Sequence, residues 1–165
     1  MNNPLAALAQ SLGDELSRKG WRIATAESCT GGGVAAAITA IAGSSAWFEY
    51  GVVTYANTAK QKLLGVKTET LDTEGAVSEA VVAEMALGAL ALSGADLAVA
   101  ISGIAGPGGA TPGKPVGTVW FAWATANGDL NTAVQHIDGD RAEVQCGAVI
   151  YALQGALAIC RKNTV

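Results

Sequence analysis

The segment Glu27-Ser28-Cys29-Thr30-Gly31-Gly32-Gly33 sets two hydroxyls and a thiol ahead of three glycines. It lies between a short apolar run, Trp21 to Ala26, and an Ala/Ile-rich stretch from Val34 to Ala42. That order reads as strand, tight turn, helix. Such a turn directs the Ser28 hydroxyl at free backbone N–H groups and the positive end of a helix dipole, which suits an oxyanion hole or a phosphate. Ser and Thr also cap helices at this position, so the local pattern admits a purely structural reading too. A serine nucleophile needs a base. The one histidine, His136, precedes Asp138-Gly139-Asp140 in an expected hairpin strand and reads as a surface residue. A lysine of lowered pKa is the other known partner for a serine. Lys60 and Lys62 follow Tyr55-Ala56-Asn57-Thr58-Ala59 within one helical turn, and both are candidates. Cys29 is a competing nucleophile, because thiols ionise more readily at helix N-termini. As Ser28's neighbour, its side chain is expected to point away from Ser28's.

Two further features could bind a ligand. Gly103-Ile104-Ala105-Gly106-Pro107-Gly108-Gly109 has too much Gly and Pro for a regular element. It lacks the spacing and following helix of a dinucleotide fingerprint, and no Gly-Lys-Ser/Thr phosphate loop is present. Its backbone amides could still approach a phosphate or a carbonyl. Arg141 stands in the first turn of the last expected helix, where the dipole mildly disfavours a cation. A guanidinium there could clamp a phosphate with its planar fork.

These residues need elements to hold them. With 165 residues, the chain is expected to form one domain over 1–165 with a self-sufficient core. Half of it is apolar, only 15% is charged, and Ala and Gly dominate, which excludes a disordered or charge-driven chain. Ten Lys+Arg against fourteen Asp+Glu give −4, with no basic cluster to meet nucleic acid. No uninterrupted apolar window reaches a membrane span, and no basic n-region with an apolar core marks a signal peptide. Three widely spaced cysteines, Cys29, Cys146 and Cys160, suggest neither a disulfide framework nor a zinc site and fit a reduced, cytoplasmic protein.

Leu5, Leu8, Leu12 and Leu16 predict a helix stopped at Gly20, and Gly51 to Tyr55 a second strand. Thr58 with Gln61 suggests a capping box for a short helix ending before Gly65. A longer helix is expected over 78–92. The apolar run 95–102 predicts a strand buried on both faces. Residues 116–126 alternate, and Asn127-Gly128 turns them into a returning strand over 130–137. Asp140 with Glu143 is the capping box of the last helix. The pattern predicts a three-layer α/β/α sandwich with a mixed, mostly parallel sheet. Loops 27–33, 55–60 and 102–109 each follow a strand, where open sheets bind ligands.

Taken together, Ala26-Glu27-Ser28-Cys29-Thr30-Gly31-Gly32, Gly43-Ser44-Ser45-Ala46-Trp47-Phe48, Val53-Thr54-Tyr55-Ala56-Asn57, Gly75-Ala76-Val77-Ser78, Ser102-Gly103-Ile104-Ala105-Gly106-Pro107 and Lys114-Pro115-Val116-Gly117-Thr118-Val119 resemble the CinA C-terminal domain family. Its stand-alone members are the nicotinamide-nucleotide amidases. The resemblance spans about residues 5 to 160. It implies hydrolysis of the carboxamide of nicotinamide mononucleotide to nicotinic acid mononucleotide and ammonia, with no cofactor and no metal. By the same resemblance Ser28 is the nucleophile, Lys60 its base and Tyr55 a close partner. Thr30, Gly31, Gly32, Ser45, Ser102, Gly103, Gly106 and Arg141 would line the substrate site, with N–H groups around Thr30 to Gly32 holding the oxyanion. Larger members carry an extra N-terminal domain absent from this sequence. The alternatives are a non-catalytic module that binds a nucleotide or a competence partner, and an amidase dependent on Cys29. The segment Trp47-Phe48-Glu49-Tyr50 and the Ala/Gly-rich surfaces suggest a homo-oligomer, a dimer.

Overall fold

Capping residues and left-handed glycines set the limits of the first elements. Asn3 Oδ1 accepts from the N–H groups of Leu5 and Ala6, opening helix α1 (Pro4–Lys19), and Gly20 at φ +67° closes it. The computed structural model describes residues 3–162, so residues 1, 2 and 163–165 of the expected domain range lie outside it. Strand β1 (Ile23–Glu27) and helix α2 (Gly33–Thr39) follow, joined by the glycine turn. Strand β2 (Phe48–Val53) starts and ends earlier than the sequence suggests, because Phe48 enters the β1 ladder opposite Ile23. The expected interface segment begins at Trp47, which is 4% exposed and packs in the core against Gly13. Phe48 is half-buried as well, leaving Tyr50 alone of the three aromatics on the surface.

Helix α3 (Asn57–Leu64) has Ala56 at its N-cap and no side-chain cap, so Thr58 and Gln61 do not form the expected box. The Gln61 amide instead donates to Thr68 Oγ1 at 2.9 Å, tying α3 to helix α4 (Thr68–Glu74). Ser78 caps helix α5 (Glu79–Ser93), and strand β3 (Leu97–Gly103) follows. Strand β4 (Thr118–Thr125) turns at Asn127-Gly128 into strand β5 (Leu130–His136), with His136 exposed at the edge. The capping box of the last helix, α6 (Arg141–Lys162), forms as the sequence predicts. Asp140 Oδ1 accepts from the Glu143 N–H and Glu143 Oε1 from the Asp140 N–H.

The five strands form one sheet in the order β2-β1-β3-β4-β5. β1 pairs in parallel with β2 and β3, while β4 is antiparallel to both β3 and β5. Four strands therefore share one direction and β4 alone opposes them, a mixed and mostly parallel sheet as expected. Helices α1, α2 and α6 cover one face, and α3, α4 and α5 the other. Strand β4 supplies both cores, sending Val119, Phe121 and Trp123 to the α6 side and Ala122 and Ala124 to the α5 side. Helix α6 is long and apolar enough, by length and composition alone, to cross a membrane. Here it packs on the sheet and α1, with Val144, Ala148, Ala152 and Ala156 fully buried. On the opposite face α3 touches α5 at Gly88, where a Cβ would stand 2.0 Å from the Leu64 carbonyl oxygen. That close approach fixes α3, and with it Lys60, against the sheet.

Candidate active site

The carboxyl ends of β1, β2 and β3 meet on one side of the sheet, and the chain leaves β1 and β2 toward opposite faces. A cleft of about 250 Å³ opens there. Its wall includes Ser28, Tyr55, Lys60, Ser102 and Arg141, together with the loop from Gly103 to Gly109.

Ser28 continues the parallel ladder past the end of β1, donating its N–H to the Ile101 carbonyl at 3.0 Å. Gly31 and Gly32, at φ +62° and +101°, carry the chain through a turn that residues with a Cβ rarely adopt. The turn is held from behind by Glu27, which is wholly buried. Its Oε1 accepts from Thr30 Oγ1 at 2.6 Å and the Val34 N–H at 2.8 Å, and its Oε2 from the Ala35 N–H at 3.0 Å. This carboxylate occupies the N-terminus of α2, the place the sequence reading reserved for an oxyanion or phosphate. The Gly31 N–H is also engaged, donating to the Ser28 carbonyl at 3.0 Å. Thr30, Gly31 and Gly32 therefore build the turn and do not line the cleft. Among the described residues, no other residue accepts from the N–H groups of Cys29, Ala105 or Gly106, and all three residues line the cleft.

Lys60 is 1% exposed, the largest fully buried side chain of the described residues. Its Nζ lies 3.0 Å from Ser28 Oγ and donates to the carbonyls of Thr54 and Tyr55 at 2.9 and 3.0 Å. No carboxylate among the described residues lies within ion-pair distance of it. Burial pushes the Lys60 ammonium below the ordinary lysine value of 10.5, with Cys29 acting in the opposite sense. The neutral amine has two N–H groups and one lone pair. With the two carbonyls taking the N–H groups, the lone pair is left facing the Ser28 hydroxyl. Lys62 is exposed, so the geometry separates the two lysines that spacing alone could not.

Cys29 faces the other way, into the core between the sheet and α6. Burial pushes its thiol up from 9.0 to about 12, the Glu27 carboxylate adding to the effect while its own N–H, Lys60 and Arg141 oppose it. The lowered thiol pKa expected of a helix N-terminus is absent because the thiol is buried in the core, and the Glu27 carboxylate at that terminus adds to the rise. Tyr55 meets the pair through its backbone carbonyl, not its side chain. The ring is 60% exposed, and its hydroxyl accepts from an Arg141 Nη at 3.0 Å. Arg141 donates its other Nη to the Gly106 carbonyl at 2.7 Å. The arginine and the glycine loop, alternatives in the sequence, thus form one wall. Ser45 is exposed in a single turn before β2, and its carbonyl accepts from Arg22. It stands at the opposite end of the sheet from Ser28, because the ladder begins, not ends, at Phe48. Glu27 is the residue the sequence reading passed over. A carboxylate directly before a glycine turn into a helix was its signal.

Known proteins resemble this chain in sequence and in fold. The family model described as CinA C-terminal domain matches residues 5–160. The chain is 55% identical to the nicotinamide-nucleotide amidohydrolase PncC of Enterobacter agglomerans, over 96% of this chain and 97% of that one. It is 56% identical to the protein of the same name from Escherichia coli K12, over 93% of each. The solved structure of competence damage-inducible protein A (ComA) from Klebsiella pneumoniae superposes with a TM-score of 0.94 at 45% identity, covering 98% of this chain and 100% of that one. That of the competence/damage inducible protein CihA from Agrobacterium tumefaciens gives 0.93 at 44%, covering 96% and 97%. With this fold, this coverage and these identities, the chain belongs to the CinA C-terminal domain family.

Proposed function

We propose that this chain is a nicotinamide-nucleotide amidase, hydrolysing the carboxamide of nicotinamide mononucleotide to nicotinic acid mononucleotide and ammonia. The observation that carries the reading is a lysine amine, buried without a counter-ion among the described residues, 3.0 Å from a serine hydroxyl at the floor of a cleft. The name and close identity of the relatives support the substrate.

In this reading neutral Lys60 accepts the Ser28 proton as Oγ bonds to the amide carbon. The oxyanion takes hydrogen bonds from cleft N–H groups that no other residue engages, those of Cys29, Ala105 and Gly106. The C–N bond breaks, and the nitrogen leaves as ammonia with the proton that Lys60 held. Water then attacks the Ser28 ester, giving up a proton through Lys60, and the acid departs as Ser28 Oγ regains its own. The nucleotide phosphate lies at the wall where Arg141 and the glycine loop meet. Tyr55 steadies Lys60 with its carbonyl and Arg141 with its hydroxyl. We place the reaction in the cytoplasm on a small-molecule substrate, with neither nucleic acid nor membrane as partner, since the net charge of −4 carries no basic face.

The test is ammonia release from nicotinamide mononucleotide by wild type, Ser28→Ala and Cys29→Ala, each with and without EDTA. Turnover retained by Cys29→Ala and in EDTA, and lost in Ser28→Ala, is the expected result. Loss in Cys29→Ala alone would move the nucleophile to the thiol. No turnover by wild type would leave a binding module.

A further inference from the structure

Ser102 is 2% exposed and lines the cleft, yet no described residue makes a hydrogen bond to its hydroxyl. Two other buried hydroxyls without partners, Thr25 and Thr54, are sealed from any solvent. Ser102 differs in that it opens on the cleft. Burying a hydroxyl without a partner is costly, so a site that keeps one has room for a ligand to supply the bond.

Its direction follows from the strand. Ala98 and Ala100 of β3 face the core between the sheet and α5, and side chains two residues apart share a face. Ser102 therefore points to the side from which α3 brings Lys60. Ala26 of β1 lies in the same core, which sends Ser28, two residues on, the same way. Glu27 pairs with Ile101, so the two serines occupy adjacent strands at adjoining levels.

Among the cleft's backbone groups that no other residue takes, the N–H groups of Cys29, Ala105 and Gly106 are donors. They suit the oxygen of a carboxamide and cannot accept from its nitrogen. Lys60 cannot accept either once it holds the Ser28 proton. A carboxamide nitrogen carries two N–H groups that lose water on entering a closed site and need acceptors. From these observations, and resting on the amidase reading above, we infer that Ser102 Oγ accepts a hydrogen bond from the scissile amide nitrogen. It orients that nitrogen so that its lone pair, as the C–N bond weakens, meets the proton on Lys60. Ser102 is thus the residue that makes the site selective for an amide leaving group.

The test compares two substrates, nicotinamide mononucleotide and the methyl ester of nicotinic acid mononucleotide. Ester cleavage expels methanol, whose oxygen has no N–H to donate. Ser102→Ala should lower kcat/KM for the amide by about tenfold or more, since a buried partner is removed, and change the ester by less than about twofold. Ser102→Thr, which keeps the hydroxyl, should recover amide turnover relative to Ser102→Ala. Equal losses on both substrates would overturn the inference and place the hydroxyl on the carbonyl oxygen instead. No loss on either would overturn it as well. An unchanged urea midpoint for Ser102→Ala separates these outcomes from misfolding. Failure of the amidase reading itself is distinct, since wild type would then turn over neither substrate.

Discussion

Replacing Lys60 by Met tests the electrostatics of the site through stability as well as activity. Methionine keeps much of the side chain's length and apolar stem but cannot bind a proton. Burial holds the folded-state pKa of Lys60 below its ordinary 10.5, so in the window between those two values the unfolded chain binds a proton that the folded chain does not. Stability of the wild type must then rise with pH across the window. The slope for one proton is about 1.4 kcal/mol per pH unit. Above 10.5 the lysine is neutral in both states and the slope vanishes. Below the folded pKa the lysine is charged in both states, and the slope vanishes again with the full cost of burying the ammonium in place. The variant lacks this term altogether. Subtracting its unfolding free energy from that of wild type cancels the other groups and leaves the lysine alone. The measurement is urea unfolding of both proteins at matched pH from neutrality into the lysine range. A difference that is flat, or that falls as pH rises, would refute the account of Lys60 as a desolvated amine. In parallel, wild-type kcat/KM for ammonia release should climb with pH through the same folded-state value, because only the neutral amine can take the Ser28 proton. The variant should lose activity by about 10²-fold or more at every pH.

Two further substitutions test the frame around that pair. Glu27→Gln keeps the shape but can offer only one oxygen to three donors, so a urea midpoint should report a loss of about 1–3 kcal/mol. Its amidase activity should fall with it, because the same carboxylate shapes the Ser28 turn. Gly88→Ala gains about 1 kcal/mol of helix propensity but drives a methyl to 2.0 Å from the Leu64 carbonyl. Thermal unfolding should show a net loss of about 1–3 kcal/mol, and activity should drop as α3 is displaced. A stabilised Gly88→Ala would mean that α3 moves freely on α5.

Glycine and period carry much of this fold in the sequence. Gly20, Gly65 and Gly94 end α1, α3 and α5 in the left-handed conformation, and the Asp140–Glu143 box opens α6. Those signals are local, and they survive folding unchanged. Helix α4 escaped because Leu71 is its only buried residue, too little to create a periodic pattern, and its first turn depends on a Glu84 side chain from α5 accepting the Lys67 N–H. The Thr58–Gln61 box failed because a tertiary partner, Thr68, outcompeted the local one. In the site, Ser28 is legible from its place between a strand and a glycine turn, and Ser102 only through the family resemblance. The choice between Lys60 and Lys62 was not, since burial of one and exposure of the other is decided by how α3 lies on the sheet. Ser45 belongs to the same motif set as Ser28, but a motif does not say which end of a strand it occupies. Glu27 stands in plain view ahead of the glycine turn, but only the folded turn brings the Thr30 hydroxyl and the Val34 and Ala35 N–H groups onto its carboxylate.

The strand order has a consequence for how the protein is made. β1 lies between β2 and β3, but Leu97, the residue that pairs with Ile23 on the β3 side, comes four α-helices later. A chain emerging from the ribosome presents Ser28 and Lys60 first and the strand that seats the Ser28 amide only after α5 has been synthesised. The loop at Gly106 and the arginine that holds it arrive later still, with Arg141 on the last helix. Local helices can form along the way, but the pairing that orients Ser28 has to close over a long stretch of chain. The geometry of the cleft is therefore completed only near the end of vectorial synthesis, and a chain truncated before α6 carries Ser28 and Lys60 without the wall that faces them.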